Sequence, residues 1–177
     1  MLDPNELSRR ANQIKLVIFD VDGVLTDGSL YYSEAGELTK KFCVKDGLGI
    51  KVLMHHKIDV AIISARKSPA LARRVSDLGI HHYFPGVEKK LDCFQKLLQE
   101  TNLAAESVAY LGDDVIDLPV MTQVGLAMAV QDAHKLVLQH AHWTSTTPGG
   151  RGAAREACDL ILESRMSLSQ AYEHITG

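Results

Sequence analysis

Residues 16–26 read LVIFDVDGVLT, a run of four apolar residues followed at once by an acidic segment. Continuous apolar character over residues 16–19 is typical of a short strand buried on both faces of a parallel sheet. Two carboxylates ~4 Å apart repel by about 4 kcal/mol at an effective dielectric of 20, so Asp20 and Asp22 require a cation, a shared proton or solvent. The stretch therefore predicts a core strand that ends in an acidic site. The alternative is a solvated turn at Asp22-Gly23.

Apolar runs and helical patterns alternate along the rest of the chain. Nearly continuous apolar runs occupy residues 58–63, 108–111 and 124–130, and residues 80–84 are a further short candidate strand. One helix is expected to start at Ser68-Pro69 and to stop at Gly79. A second helical pattern has its apolar stripe at Leu91, Phe94, Leu97 and Leu98. This alternation predicts a doubly wound α/β fold with a mainly parallel sheet, whose sites lie at the carboxyl ends of the strands.

Residues 29–43 break the alternation and predict a projecting β-hairpin. Its expected strands are residues 30–33 and 38–43, joined around residues 34–36. Each arm carries apolar side chains, so an isolated ribbon would expose apolar surface, and we expect the hairpin to pack against something. Near the other end of the chain, residues 148–155 form a tail that begins with the chain's only glycine-rich stretch.

Length and composition limit the classes of function. The chain has 177 residues, of which 46% are hydrophobic and 23% charged, as expected of a single domain spanning residues 1–177. A formal net charge of −3 leaves no basic excess, so we expect no nucleic-acid partner. Three widely spaced cysteines indicate reduced thiols in the cytoplasm. No apolar run approaches the roughly 18 residues of a membrane span, so we expect no membrane insertion.

A second acidic group, Gly112-Asp113-Asp114-Val115-Ile116-Asp117, follows the apolar run 108–111. If this strand neighbours the first one, both acidic groups emerge from the same edge of the sheet. Hard oxygen ligands in that number favour Mg²⁺, together with waters and a substrate phosphate. The alternative is that Asp113 or Asp114 is the N-cap of the next helix, and the two roles can coexist on different residues.

Two further segments predict an anion site. Ser64-Ala65-Arg66 ends one strand just before the helix that begins near Ser68, and offers a hydroxyl and backbone amides to a phosphate. Taken alone, Ser64 is better explained as a turn or capping residue than as a phosphate ligand. Lys89 and Lys90 open the second helix, which is an unfavourable position for a cation unless an anion or an acid lies nearby. A functional lysine is therefore favoured there over an exposed one.

These four segments, in this order, resemble the four motifs of the haloacid dehalogenase superfamily of phosphatases. The resemblance implies that Asp20 is the nucleophile that takes the phosphoryl group, while Asp22 protonates the leaving alcohol and then activates water. It implies that Mg²⁺ is bound by the carboxylates of Asp20 and Asp113 and the backbone carbonyl of Asp22. Such a mechanism depends on alignment and charge neutralisation, and the carboxylate nucleophile divides hydrolysis into two steps.

The same resemblance implies the supporting residues. Asp114 or Asp117 would support the metal from outside the ligand set, and Ser64 and Lys90 would bind the phosphoryl oxygens, with Lys89 one register position away. The family often has glycine where this chain has Ala65. If that position needed a positive φ, the methyl group would cost roughly 1 kcal/mol.

The chain has no room for a separate cap domain, and it more closely resembles the capless, homotetrameric 3-deoxy-D-manno-octulosonate 8-phosphate phosphatases of lipopolysaccharide synthesis. Residues 20–28, 42–50, 112–117 and 149–156 carry this similarity. It implies a tetramer assembled by the hairpins, an acidic sugar phosphate as substrate, and a glycine-rich tail that closes over a neighbouring site. The candidate residues for contact with the sugar acid are Arg66, Gly149, Gly150 and Arg151. The alternative for the tail is a mobile, solvated segment.

Two other functions stay open at this point. One is hydrolysis of a related nine-carbon, sialic-type sugar phosphate, which the sequence separates poorly. The other is a receiver-type phospho-acceptor domain, which also uses acids, Mg²⁺ and lysine on a doubly wound sheet. A receiver carries a lone acceptor aspartate after its third strand, whereas Asp20 follows the first strand and has Asp22 beside it.

Overall fold

The computed structural model describes residues 2–34 and 36–176 of the chain. Its strands are β1 (Leu16–Phe19), β2 (Tyr31–Ser33), β3 (Gly36–Thr39), β4 (Asp59–Ser64), β5 (His82–Pro85), β6 (Val108–Gly112), β7 (Leu126–Ala129) and β8 (Trp143–Thr144). Its α-helices are α1 (Pro4–Gln13), α2 (Val44–His55), α3 (Pro69–Leu78), α4 (Lys90–Thr101), α5 (Leu118–Met121), α6 (Lys135–His140), α7 (Ala153–Glu163) and α8 (Leu168–Thr176).

Six strands form one sheet in the order β5-β4-β1-β6-β7-β8, and every pair of neighbours in it is parallel. The central strand β1 is buried along its whole length, as its continuous apolar sequence predicts. Phe19 pairs with Ile62 of β4 on one side and with Leu111 of β6 on the other. The predicted doubly wound, mainly parallel α/β fold is confirmed, and the carboxyl ends of β4, β1 and β6 lie side by side.

The main helix signals match the structure. The Ser68 hydroxyl accepts a hydrogen bond from the Leu71 amide at 3.4 Å, and Gly79 ends α3 in the left-handed region with φ +75°. Because the Ile80 amide bonds back to Val75, the next strand begins at His82 rather than at the predicted residue 80. The predicted strand 124–130 is shorter as well and covers only β7. Helix α1 and the two-residue strand β8 were not predicted.

The hairpin forms, but its second strand differs from the prediction. It is β3, residues 36–39, rather than residues 38–43, and the pairing register shifts between Tyr31 and Tyr32. The ladder ends at Thr39, and the side chain of the next residue, Lys40, is buried. Ala35 and the side chain of Leu38 lie outside the described residues. Leu30, Tyr31 and Tyr32 are exposed on this chain, with Tyr32 at 57%.

The glycine-rich stretch is packed on the chain's own first loop. Gly149 and Gly150 are buried, and the Gly150 amide donates to the Val24 carbonyl at 2.8 Å. The alternative of a solvated tail is therefore wrong for these two glycines. The stretch is also not terminal, since α7 and α8 follow it. Among the described residues, no helix combines the length and the apolar character needed to cross a membrane.

Candidate active site

The sheet topology brings together the sequence-predicted residues at one edge. Asp20 follows β1, Ser64 ends β4, and Asp113 follows β6. The Asp20 amide donates to the Leu111 carbonyl at 3.1 Å, which continues the pairing of β1 with β6 up to the acids. The convergence expected from the order of strands is therefore present in the structure.

Asp20 is buried, with 4% of its surface exposed. The Lys90 ammonium lies 2.7 Å from Asp20 Oδ1. Burial raises the pKa of Asp20 to about 6, because the neighbouring Asp117 adds to the desolvation and Lys90 offsets only part of it. The carboxylate is thus held in a largely dry position beside one cation.

Asp113 faces Asp20 and is short of positive charge. Burial, reinforced by the charges of Asp20 and Asp117, raises the pKa of Asp113 to about 8. Its Oδ1 is buried and has no hydrogen-bond partner among the described residues. A Cβ added at Gly23, where φ is +90°, would lie 2.1 Å from Asp113 Oδ2. The glycine is therefore required so that the loop after β1 can approach this carboxylate.

Asp117 connects several residues of the site through hydrogen bonds to both of its carboxylate oxygens. It is fully buried, and its Oδ1 binds the Lys90 ammonium and the Tyr110 hydroxyl, each at 2.7 Å. Its Oδ2 accepts from the amides of Asp113 at 3.0 Å and Asp114 at 3.2 Å. With both oxygens engaged, Asp117 fixes the turn that presents Asp113. Asp114 is exposed and caps the short 3₁₀ turn at residues 115–117, so the predicted capping role falls on this residue.

The acidic cluster fits a hard divalent cation. Asp20, Asp113 and Asp117 each offer an oxygen within 4.8 Å of the others. Two of these carboxyls have strongly raised pKa values, which indicates that the cluster holds more negative charge than Lys90 neutralises. The donors are all oxygens, and Asp113 Oδ1 is unsatisfied, which suits Mg²⁺.

Lys90, rather than Lys89, is the lysine of the cluster. Its side chain is 1% exposed, whereas Lys89 is exposed. Burial alone would lower the pKa of Lys90, but the adjacent Asp20 and Asp117 carboxylates raise it above the ordinary value. The ammonium is therefore charged and held at the position where α4 begins. Of the two lysines that the sequence offers, Lys90 is therefore the one beside the acids.

Asp22 lies on the loop after β1 and forms an ion pair with Lys40. The Lys40 side chain is 1% exposed, and that of Asp22 is 23% exposed. Sequence reasoning missed Lys40, because nothing in the pattern distinguishes it from Lys41, whose side chain is 61% exposed. It also missed Tyr110, since a tyrosine inside an apolar strand reads as a packing residue.

The predicted residues Ser64, Ala65 and Arg66 lie at and just after the carboxyl end of β4. Ser64 is buried at the end of β4, and its Oγ accepts from the Arg66 amide at 3.3 Å. Ala65 takes an ordinary φ, since Lys57 and Asn102 are the non-glycine residues of the described part with positive φ. The Arg66 guanidinium donates to the Tyr32 hydroxyl of the hairpin. The backbone of Ser64-Ala65-Arg66 is thus unstrained, and Arg66 is held by the hairpin.

The backbones of Gly149 and Gly150 pack closely against the loop after β1. A Cβ at Gly149 would lie 1.7 Å from the Gly23 carbonyl oxygen, and one at Gly150 would lie 2.5 Å from the Asp27 nitrogen. The Gly149 amide donates to Asp132 Oδ1 at 2.9 Å. Both glycines are therefore structural neighbours of the loop that carries Asp22. Arg151, the next residue, is exposed.

Comparison with known proteins identifies the family. A sequence model described as haloacid dehalogenase-like hydrolase matches residues 84–155. The 3-deoxy-D-manno-octulosonate 8-phosphate phosphatase of Yersinia pestis is 48% identical over 167 residues, covering 94% of this chain and 89% of that protein. The chain belongs to the 3-deoxy-D-manno-octulosonate 8-phosphate phosphatase family. The resemblance inferred from the four motifs is thereby confirmed.

Solved structures of this phosphatase family have the same fold. The crystal structure of the Yersinia pestis phosphatase superposes with a TM-score of 0.88 at 49% identity, covering 91% of this chain and 87% of that one. A phosphatase of this name from Moraxella catarrhalis, solved in complex with magnesium ion, phosphate ion and KDO, has a TM-score of 0.92 at 35% identity. That similarity covers 98% of this chain and 99% of that one.

Proposed function

We propose that this chain is a Mg²⁺-dependent phosphatase that hydrolyses 3-deoxy-D-manno-octulosonate 8-phosphate to the free sugar acid and inorganic phosphate. The observation that carries the proposal is the meeting of Asp20 and Asp113 at one sheet edge, with the Lys90 ammonium 2.7 Å from Asp20. Membership of a family of phosphatases named for this reaction supports the substrate. We place the reaction in lipopolysaccharide synthesis in the cytoplasm, where the three free cysteines would stay reduced.

In the first step, an Asp20 carboxylate oxygen attacks phosphorus. A bond forms between that oxygen and phosphorus, and the bond from phosphorus to the sugar oxygen breaks. Asp22 donates its proton to the leaving sugar oxygen, so the products are an aspartyl-phosphate and the free sugar acid. In the second step, Asp22 takes a proton from water, the resulting hydroxide attacks phosphorus, and the Asp20 carboxylate is released with inorganic phosphate.

The residues that would hold Mg²⁺ are the Asp20 and Asp113 carboxylates and the backbone carbonyl of Asp22. When bound, the ion neutralises the two carboxylates and the charge on the phosphoryl oxygens. Lys90 and the Ser64 hydroxyl bind the remaining phosphoryl oxygens. Asp117 positions Lys90 and the amide of Asp113.

Recognition of the sugar is assigned to two arginines and to the association of subunits. A guanidinium binds a carboxylate through paired hydrogen bonds, so we assign recognition of the sugar acid to Arg66 and to Arg151 on the Gly149-Gly150 turn. The whole chain acts as one domain. Exposed apolar side chains on the hairpin would be covered by neighbouring subunits, which supports a homotetramer. These side chains are Leu30, Tyr31 and Tyr32.

The test is a phosphate-release screen. The eight-carbon substrate, a nine-carbon sialic-type sugar phosphate and a simple hexose phosphate are compared with Mg²⁺ and with EDTA. We expect the eight-carbon substrate to have the highest kcat/KM, and EDTA and Asp20→Asn each to abolish release while the circular dichroism spectrum is unchanged. Preference for the nine-carbon compound would reassign the substrate. Stable phosphorylation without turnover would indicate a receiver-type domain, and retained activity in Asp20→Asn would refute the nucleophile.

A further inference from the structure

Three histidines from two separate elements meet at the surface. They lie near the amino ends of the sheet strands, whereas the acidic site lies at the carboxyl ends. His55 is the last residue of α2, His56 is its C-cap, and His174 lies in α8. The chain passes from His56 into the amino end of β4, whereas the acids follow the carboxyl ends of the strands. No step of the proposed reaction uses this histidine cluster.

The three rings of the histidine cluster lie close enough together to supply ligands to one metal ion. Each ring offers a nitrogen within 4.8 Å of the other two. The rings of His55 and His174 stack in parallel with centroids 3.6 Å apart, and His56 is edge-on to His55 at 5.1 Å. Zinc–nitrogen bonds of about 2.0–2.1 Å place tetrahedral ligand nitrogens roughly 3.4 Å apart. In the stacked arrangement the lone pairs of His55 and His174 lie in parallel planes, so binding requires these two exposed rings to rotate out of the stack and point at one ion.

The third ring is held in place by a backbone contact. His56 is partly buried, and its Nε2 lies 2.9 Å from the Ala171 carbonyl oxygen. When Nε2 carries the proton it donates to that carbonyl, and the lone pair on Nδ1 is left for an ion. Metal-binding histidines are typically oriented in this way by a carbonyl or a carboxylate. Helix α8 therefore supplies both a ligand, His174, and the group that orients His56.

The local electrostatics also favour a bound cation. The C-terminal end of α2 carries the partial negative charge of the helix dipole, although its Val52, Leu53 and Met54 carbonyls accept hydrogen bonds from the amides of residues 56, 58 and 57. Lys57 opposes a cation, but its side chain is exposed to solvent.

We propose that His55, His56 and His174 form a second metal site, which binds a transition-metal dication such as Zn²⁺ and fastens α8 to α2. Imidazole donors prefer Zn²⁺, Ni²⁺ or Cu²⁺, whereas the all-oxygen acidic site prefers Mg²⁺. A water completes the coordination, and the site is structural. It ties down the last described helix of the chain, whose other anchors include buried Ala171 and the Arg155 guanidinium 4.4 Å above the Tyr172 ring.

The test is a titration of the full chain with Zn²⁺ after removal of any affinity tag, because a polyhistidine tag would itself bind the metal. Zinc is competed against a chromogenic chelator in a large excess of Mg²⁺, and the titration is repeated in Asp113→Asn to remove binding at the acidic site. We expect one saturable site per chain in both proteins. We also expect zinc to raise the thermal midpoint of Asp113→Asn.

Variants on both elements separate this site from others. His174→Ala and His55→Gln should each weaken zinc binding by about tenfold or more and abolish the zinc-dependent rise in thermal midpoint. His81→Ala, which removes an exposed histidine outside the cluster, should change neither. The proposal is overturned if zinc affinity is equal in the wild type and both cluster variants, or if no site saturates below millimolar zinc. Since the readouts are binding and stability, they are independent of phosphatase activity.

Discussion

Lys40 and Asp22 form an ion pair in which the lysine side chain is almost completely buried, although the two residues belong to different structural units. Lys40 leaves the hairpin directly after β3, and Asp22 lies on the loop after β1. A hydrogen bond to a charged group contributes about 1.5–3 kcal/mol, enough to select one orientation of a carboxylate. The hairpin therefore positions the residue that we assign to proton transfer.

Lys40→Met tests this positioning. We expect kcat to fall about tenfold or more with a smaller change in KM, because the Asp22 carboxylate would no longer be held toward the leaving oxygen. Lys41→Met is the matched control, since Lys41 is exposed and lies 3.4 Å from Asp27. Steady-state kinetics on both variants check the prediction. Equal kcat values for the two variants would contradict it.

Lys90→Met should abolish phosphate release, while Lys89→Met should leave it within about twofold of the wild type. The first change removes the ammonium beside Asp20 and Asp117 and leaves buried charge unpaired, which costs about 3–5 kcal/mol of stability. Phosphate release and urea unfolding are measured together, so that loss of activity is assessed on folded protein. An active Lys90→Met, or an inactive Lys89→Met, would refute the assignment.

Asp113→Asn should stabilise the metal-free protein at pH 8 by on the order of 2 kcal/mol, while removing Mg²⁺-dependent activity. The pKa of Asp113 is raised to about 8 from an ordinary value of 3.8, so between those pH values the folded protein holds a proton that the unfolded chain releases. The free energy of unfolding of the wild type in EDTA therefore falls as pH rises through that window.

Urea unfolding at pH 5 and pH 8, each with EDTA and with Mg²⁺, measures this difference. The advantage of Asp113→Asn in EDTA should be larger at pH 8 than at pH 5. Mg²⁺ should stabilise the wild type more than the variant. If the variant were the less stable protein at pH 8 in EDTA, burial of the charge would not be the cause of the raised pKa.

Gly149→Ala should reduce kcat/KM by about tenfold or more, because the methyl group would overlap the Gly23 carbonyl and displace the loop that carries Asp22. Gly79→Ala is the control. Gly79 has a positive φ and open space around it, so its substitution should cost about 1 kcal/mol of stability without altering kinetics. A Gly149→Ala enzyme with normal kinetics would show that the loop adapts to the added methyl group.

The sequence predicted those parts of the fold and site that depend on local pattern. The apolar run 16–19, the Ser68 cap and the acids after two strands are local signals, and the structure places Asp20 and Asp113 together because β1 and β6 are neighbours. That adjacency could be anticipated only from the family motifs. The strand β8 has two residues, too few for a periodicity, and so it was missed.

The contacts that escaped prediction are those made across the fold. Burial separates Lys40 from Lys41 and Lys90 from Lys89, and burial is set by where the hairpin and α4 pack. The second hairpin strand was predicted too late in the chain, because the register shift at Tyr31 and Tyr32 cannot be read from alternation. Tyr110 was missed because its hydroxyl bond to Asp117 is made in the core, beneath the acids.

The hairpin contacts two motifs at once, through Lys40 at Asp22 and through Tyr32 at Arg66. Its outer side chain Tyr31 is exposed on the isolated chain. In the homotetramer that we propose, a neighbouring subunit packed on this hairpin would hold Asp22 and Arg66 in place together, the residues to which we assign proton transfer and sugar recognition. Separation of the subunits of that proposed assembly would then lower activity while every strand of the sheet stays folded.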